Sequence, residues 1–381
     1  MFFMEETNKM QESNLRVGAI GCGGFGLFAL QQFVQVPGVR LVGMVDPRSE
    51  AALAMAKRFD VEAVQGVDAL LARPDIDLVY IATPPFLHYE QGLQAVQAGK
   101  HVICEKPLAM SIVEAEELVG TARQNGRVLV ANLMQRYNPL FDAVKSLIDE
   151  GVLGEFLHGY FENYATDEGL GLDHWFWDRK KSGGIFIEHG VHFFDLFAGW
   201  LGSGEVVAAQ AETRPGSTVE DQVQATVRYS SGALVNFYHG FHQPGRLDRQ
   251  ELRLVFERGD VTLHEWIPTR FRINAAVNEE QTKRLSELFP GRLRATATYG
   301  GRERQSRGRF KELDIYQIVE LTGGDEHLKL HRYGDLVRAL FEDQAAWIRD
   351  RNHVRRLTEQ NGLDSVILAE RADRMAHGLE K

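Results

Sequence analysis

Between residues 15 and 130 the chain alternates short apolar runs with helix-like stretches, and no other feature constrains its fold as tightly. The runs are LRVGAI, VRLVGMVD, DLVYIAT, HVICEKP and VLVAN. Between them lie a glycine-rich turn leading into GLFALQQFVQV, then EAALAMAKRF, HYEQGLQAVQAG and VEAEELVGTARQNG. Strands that are apolar at nearly every position are buried on both faces, as they are when helices cover a parallel sheet from both sides. The pattern predicts a doubly wound α/β domain of the Rossmann type over residues 14–135, preceded by a disordered tail at 1–13.

From about residue 152 the periodicity shortens to two. In QVQATVRY, Val223, Ala225, Val227 and Tyr229 fall on one side, and Gln222, Gln224, Thr226 and Arg228 on the other. GEFLHGYFENY, EVVAAQAET, GALVNFYHGF, ELRLVFERG and DVTLHEW behave alike, with turns such as Ser231-Gly232 and Arg258-Gly259 between them. A second, α+β domain built on an open, largely antiparallel sheet is therefore expected over 136–381, for substrate binding and oligomerisation, with helical pattern returning near the C-terminus. A chain of 381 residues has ample material for two cores.

Composition narrows the partners. A net charge of -10 argues against a nucleic-acid surface, which needs clustered positive charge. Cys22 and Cys104 are too few for a disulfide framework and lie in apolar runs. No run of about 18 apolar residues offers a membrane span, and the opening MFFMEETNKMQESN lacks the basic-then-apolar order of a signal peptide. A cytoplasmic protein with a small-molecule partner is expected.

The first turn, AIGCGGFGLFAL, places Gly21, Gly23 and Gly26 in a G-x-G-x-x-G pattern after a strand and before a helix. The three glycines serve a tight turn, close approach of a pyrophosphate, and close packing of helix on strand. The loop, Phe25 included, is expected to line a dinucleotide whose phosphates face the helix N-terminus. The second strand ends in Asp46, about 20 residues beyond the last glycine, where an acid accepts hydrogen bonds from the adenosine ribose. Asp46 favours NAD by repelling a 2′-phosphate, whereas Arg48 two residues on suits NADP.

The segment IATPPFLHYEQGLQAVQAGKHVICEKPLAM resembles the glucose-fructose oxidoreductase, inositol dehydrogenase and rhizopine-catabolism (Gfo/Idh/MocA) family. The likeness rests on Thr83, Pro84 and His88, on Ala98 to Val102, and on Glu105-Lys106-Pro107. It continues through Arg136-Tyr137-Asn138-Pro139, SGGIFIEHGVHFFD and NGLDSVILAE, and so covers most of the chain. The resemblance implies a catalytic cleft between the two domains, with Lys106 and His192 as catalytic residues and Asp195 as the second acid of the His motif. Its first acid, usually Asp, is Glu188 here, one methylene longer. Thr83, Pro84, His88 and Glu105 are implied at the cofactor, Glu105 beside the nicotinamide ribose, though Pro85 stands where Asn is common. Arg136, Trp175 and Asp195 are expected at the substrate.

The residues themselves point the same way. At about 100° per residue, Glu188, His192, Asp195 and Gly199 share one stripe of a helix, opposite Phe193, Phe194 and Phe197. Burial of the aromatic face leaves the polar stripe turned to solvent or a cleft. When a carbinol gives up hydride and proton, an imidazole titrating near 7 is the natural acceptor, which selects His192. The Lys106 ammonium stabilises the developing alkoxide or shares the proton transfer, while Glu188 orients a cation or binds a neighbouring hydroxyl. A metal at His189 and His192 is not expected, because the cofactor already serves as electrophile.

The Trp175-Phe176-Trp177 cluster either walls the pocket or belongs to the core. The basic stretch 279–312 reads as a solvated insertion or subunit contact, or alternatively as a site for an anionic group. Together these predict an NAD(P)-dependent dehydrogenase or reductase acting on a secondary alcohol or ketone of a sugar, sugar derivative or cyclitol. An NAD-dependent glycosidase and a non-catalytic nicotinamide sensor are the competing readings. An open sheet face suggests a homodimer or homotetramer.

Overall fold

The computed structural model describes residues 14–380 except 168, 172 and 309, so the tail expected at 1–13 lies outside the described residues. Six parallel strands form the first sheet: β1 (Leu15–Ile20), β2 (Val39–Val45), β3 (Glu62–Ala63), β4 (Leu78–Ile81), β5 (His101–Cys104) and β6 (Leu129–Ala131). Their spatial order is β3-β2-β1-β4-β5-β6, so chain direction across the sheet reverses between β1 and β4. A ligand crevice opens at such a switch point, beyond the carboxyl ends of the strands. Strands β4 and β5 are buried at every residue because α1 (Gly24–Phe33), α2 (Ser49–Phe59), α3 (Val67–Leu71), α4 (His88–Gln97) and α5 (Ile112–Gln124) cover the sheet.

The second sheet has nine strands. They are β7 (Phe156–Ala165), β8 (Gly204–Glu212), β9 (Gln222–Tyr229), β10 (Leu234–Phe241), β11 (Arg249–Phe256), β12 (Gly259–His264), β13 (Arg270–Val277), β14 (Leu293–Thr298) and β17 (Gln317–Gly324). A separate hairpin joins β15 (Gln305–Arg307) to β16 (Glu312–Asp314). All pairs in the large sheet are antiparallel except β7 with β10. On β9 the expected alternation is present: Val223, Ala225, Val227 and Tyr229 are buried, while the intervening residues are not. Helices α6 (Pro139–Asp149), α7 (Arg179–Ser182), α8 (Val191–Leu201), α9 (Glu279–Leu288), α10 (Lys329–Arg349) and α11 (Glu359–Ala376) complete the chain.

Two features depart from the periodicity reading. The C-terminal helices return to the first sheet: Leu336, Val337, Leu340 and Phe341 of α10 and Val366 of α11 join the core of β1, β4 and α1. Phe341 stacks on Phe33 of α1 at 4.3 Å, so residues far beyond 136 close the first core. The basic stretch 279–312 is also built rather than free: Arg284 pairs with Glu150 and Glu287, Arg304 with Glu279 and Asp314, and Arg294 with Glu320. Those guanidinium forks are occupied by carboxylates of the chain itself, which favours the solvated-insertion reading; Arg309 lies outside the described residues.

Candidate active site

The glycine turn is shaped as its sequence demands. Gly21 sits at φ +97°, and a Cβ there would stand 2.6 Å from the Ala82 carbonyl oxygen. A Cβ on Gly26 would stand 2.9 Å from the Gly21 oxygen, so helix and strand touch through bare backbone. Gly23 has no atom within 4 Å of where its Cβ would be, and no side chain caps the first amides of α1. The opening and the uncapped amides fit a pyrophosphate. The Phe25 ring lies 5.5 Å from Tyr333 of α10.

Asp46 lies at the end of β2, 9% exposed, and accepts from the Cys22 amide at 2.8 Å and the Arg48 amide at 2.9 Å. The Arg48 guanidinium adds contacts of 3.0 and 3.2 Å. Burial alone would raise this carboxyl, but the Arg48 side chain and the two amides outweigh it and hold the group below its ordinary range. Cys22 is pushed up to about 11 by burial and by the Asp46 charge, and stays a thiol.

Contacts lead from this turn to the loop that carries Lys106. The Thr83 amide lies against Gly21, and the Thr83 hydroxyl donates to Gln91 at 2.7 Å. Pro84 precedes the short 3-10 turn Pro85–Leu87. His88, fully buried, has Nδ1 2.7 Å from the Pro107 oxygen and Nε2 2.7 Å from the Thr83 oxygen. With both ring nitrogens taken by main chain, His88 clamps the loop after β4 to the loop after β5. That clamp shapes the cofactor side of the two loops through main chain, where the resemblance implied His88 at the cofactor itself.

Glu105 follows β5, and its Oε1 accepts from Tyr80 at 2.7 Å and from Asn132 at 2.8 Å. Neither partner was signalled by any motif; both are apolar-run neighbours that reach Glu105 only because β4, β5 and β6 are adjacent. Burial, opposed by the Asn132 and Tyr80 hydrogen bonds and the Lys106 charge, raises this carboxyl from 4.5 to about 7. The folded state therefore binds the proton more tightly than the unfolded chain between those values, and stability falls as pH rises through that window. Glu105→Gln keeps an acceptor oxygen and removes the charge. In the cofactor-free protein it is expected to raise the thermal midpoint by about 2–4 °C at pH 8, roughly 1 kcal/mol after allowing for partial solvent access, with no change at pH 4.

Lys106, just after β5, reaches a residue of the second domain. Its Nζ donates to Glu188 Oε1 at 2.5 Å and to the Glu188 carbonyl oxygen at 2.9 Å. Residues Phe186–Gly190 form a π-helical turn, and regular α8 begins only at Val191. The wider turn starts after Gly183 and Gly184, both at positive φ. This corrects the single regular stripe expected from Glu188 to Gly199. The extra residue re-aims Glu188 at Lys106.

His192 lies in the first turn of α8, 5% exposed, its Nδ1 buried without a hydrogen-bond partner and its ring 6.0 Å from Trp266. Burial, followed by the Lys106 charge, holds its imidazolium well below 6.5. The ammonium is thus within electrostatic reach of the ring, and His192 is neutral at pH 7 rather than titrating there as the sequence reading expected. Phe193, Phe194 and Phe197 are buried as expected, yet Glu188 and Asp195 on the polar side are equally enclosed.

Asp195 and Arg136 form an ion pair with each other. Expected at the substrate, they bind each other: Arg136 Nε to Asp195 Oδ2 at 2.8 Å and Nη2 to Oδ1 at 2.9 Å, with Asp195 only 3% exposed. A Cβ on Gly199 would sit 1.9 Å from Arg136 Nη1, so that glycine makes room for the guanidinium. The pair ties the Arg136–Pro139 turn to α8 beneath the site. Trp175 lies in the partly buried 3-10 turn Trp175–Trp177, whose neighbours Phe176 and Trp177 pack on Phe241 at 5.3 and 5.9 Å. Outside the cleft, Glu220, Asp373 and His377 could hold a metal ion, but Arg179 already bonds both carboxylates.

Residues 15–133 match the oxidoreductase family described by an NAD-binding Rossmann fold, and residues 141–262 match the GFO/IDH/MocA C-terminal domain. The chain belongs to the Gfo/Idh/MocA family of oxidoreductases. Its first domain is accordingly an NAD-binding Rossmann domain, and the second carries the family's C-terminal sheet. Within the family it is 33% identical over 233 residues to the 1,5-anhydro-D-fructose reductase of Ensifer adhaerens, across 59% of this chain and 69% of that protein. The first relatives it matches are spanned over 45% to 69% of their length. Among solved structures, the WlbA dehydrogenase of Bordetella pertussis in complex with NADH and UDP-GlcNAcA superposes with a TM-score of 0.78 at 20% identity, covering 96% of both chains. Levoglucosan dehydrogenase in complex with NADH and levoglucosan gives 0.75 at 19% identity, covering 96% of this chain and 98% of that one. Among the described residues no helix is long and apolar enough to cross a membrane.

Proposed function

We propose that this chain uses NAD to interconvert a secondary alcohol and ketone in a sugar, sugar derivative or cyclitol. The observation that carries the reading is the meeting of Lys106, from the end of β5, with the Glu188–His192 turn of the second domain, beside the glycine turn. The residues around Gly23 and Asp46 fit a dinucleotide, and the bound nicotinamide supplies or accepts the hydride. Lys106 donates a hydrogen bond to the reacting oxygen and stabilises negative charge as it develops there. His192, neutral at pH 7, takes the hydroxyl proton, and the depressed imidazolium returns it readily in the reducing direction. Glu188 aims Lys106 through both its carboxylate and its main-chain oxygen. Asp195 and Arg136 brace α8 from below.

NAD is favoured over NADP because Asp46 is ionised at the ribose position, while Arg48, already bonded to that carboxylate, is the group that would have to move to meet a 2′-phosphate. Tyr160 and Leu234, exposed on paired strands of the open sheet, support the homodimer or homotetramer reading.

A panel of sugars, sugar acids and cyclitols, with NAD and NADP in both directions, tests the proposal through the absorbance of reduced nicotinamide. Turnover of at least one member with NAD is expected. Silence throughout, or glycoside cleavage without net reduction, would overturn it.

A further inference from the structure

Next to Glu188 lies a histidine that the reaction above leaves unused. His189 Nδ1 is 2.9 Å from Nδ1 of His239, a fully buried residue of β10. The two rings stand at 86°, and Phe161, Phe186 and Phe193 surround His239. Neither imidazole is charged near neutrality: burial takes His239 to about 3 and, helped by its neighbours, His189 well below 6.5.

Two neutral imidazoles sharing a hydrogen bond must be one donor and one acceptor, so their tautomers are linked. His239 decides which is which, because its Nε2 is buried with no partner. Were His239 the acceptor, its proton would sit on that Nε2 as an orphaned donor within an aromatic cage, the arrangement folded proteins avoid most strongly. With the proton on His239 Nδ1, that N-H is satisfied by His189, and His189 is obliged to carry its own proton on Nε2. His189 is only partly buried, and the Lys106 charge acts on it. With Nδ1 given to His239, Nε2 is the ring nitrogen left to meet a ligand.

The geometry points to His189 as a substrate-positioning residue: a neutral imidazole, locked by His239, that donates its Nε2 hydrogen to a second oxygen of the substrate beside the one held by Lys106. This rests on the proposed reaction and adds to it a preference for substrates bearing oxygens on neighbouring carbons. The ring supplies a donor without a charge, which suits hydroxyl and carbonyl oxygens. Phe241, 5.3 Å from His189 and packed on Trp177, carries the aromatic wall of the Trp175–Trp177 turn up to the same point.

Long-range nitrogen-proton correlation on the cofactor-free protein, with nitrogen-15-labelled histidine, reads the tautomers directly and needs no substrate. His189 protonated on Nε2 and His239 on Nδ1 across pH 6–8 is expected; the reverse pair, or an averaged His189, overturns the inference even if the enzyme turns sugars over. With a substrate from the panel, His189→Phe is expected to raise KM about tenfold, the worth of one hydrogen bond, with kcat within a few-fold and NADH affinity unchanged. His189→Gln, which returns an N-H near the same place, should restore most of that loss. Equal KM values for wild type and His189→Phe would overturn the inference while leaving the proposed reaction standing.

Discussion

Lys106→Met is expected to lower kcat by about a thousandfold while NADH binds as before, because a preorganised donor aimed at developing oxyanion charge contributes roughly 3–4 kcal/mol to the transition state. Methionine preserves most of the stem, so packing between the domains is retained and the ammonium alone is lost. Among the described residues Lys106 is the hydrogen-bond partner of the Glu188 carboxylate, and its removal leaves that acid enclosed. The double variant Lys106→Met with Glu188→Gln separates the two consequences: thermal stability should recover, but kcat should not. Single-turnover hydride transfer in stopped flow, with NADH binding followed by fluorescence, provides the measurement. A kcat within tenfold of wild type would remove Lys106 from the chemistry.

The second large effect concerns stability. Asp195→Ala is expected to destabilise the protein by about 3–5 kcal/mol, since it strands the Arg136 guanidinium with no counter-charge in a nearly enclosed site. Asp195→Asn should cost less, because its amide oxygen still accepts one of the two hydrogen bonds. Urea unfolding, read as the shift in midpoint at constant slope, decides between the two roles open to this acid. A brace predicts that Asp195→Asn keeps KM near wild type despite lost stability. A substrate ligand predicts the opposite, with KM rising and the midpoint unmoved.

The site was legible in sequence where function depends on backbone or on residues close in the chain. Gly21 and Gly26 were readable because steric demand at a strand-to-helix turn admits no side chain, and Asp46 because one βαβ unit sets its distance from them. Lys106 and His192 enter the proposed site through motifs. What escaped is whatever depends on which atoms meet across elements. The motifs alone do not show that His88 joins the loops after β4 and β5, or that Arg136 pairs with Asp195. Tyr80 and Asn132, the partners of Glu105, carry no local signal because strand adjacency alone brings them together.

Sequence by itself therefore determined the two-sheet architecture and the glycine turn of the NAD-binding domain, because periodicity and backbone sterics are properties of short stretches. Tertiary structure alone decided how the polar groups are shared. It inserted the π-helical turn that points Glu188 at Lys106, paired Arg136 with Asp195, joined His189 to His239 and returned α10 to the first core. The physical reason is that a buried polar atom takes its nearest satisfying partner in space, and that partner is set by packing between distant segments rather than by the order of residues along the chain.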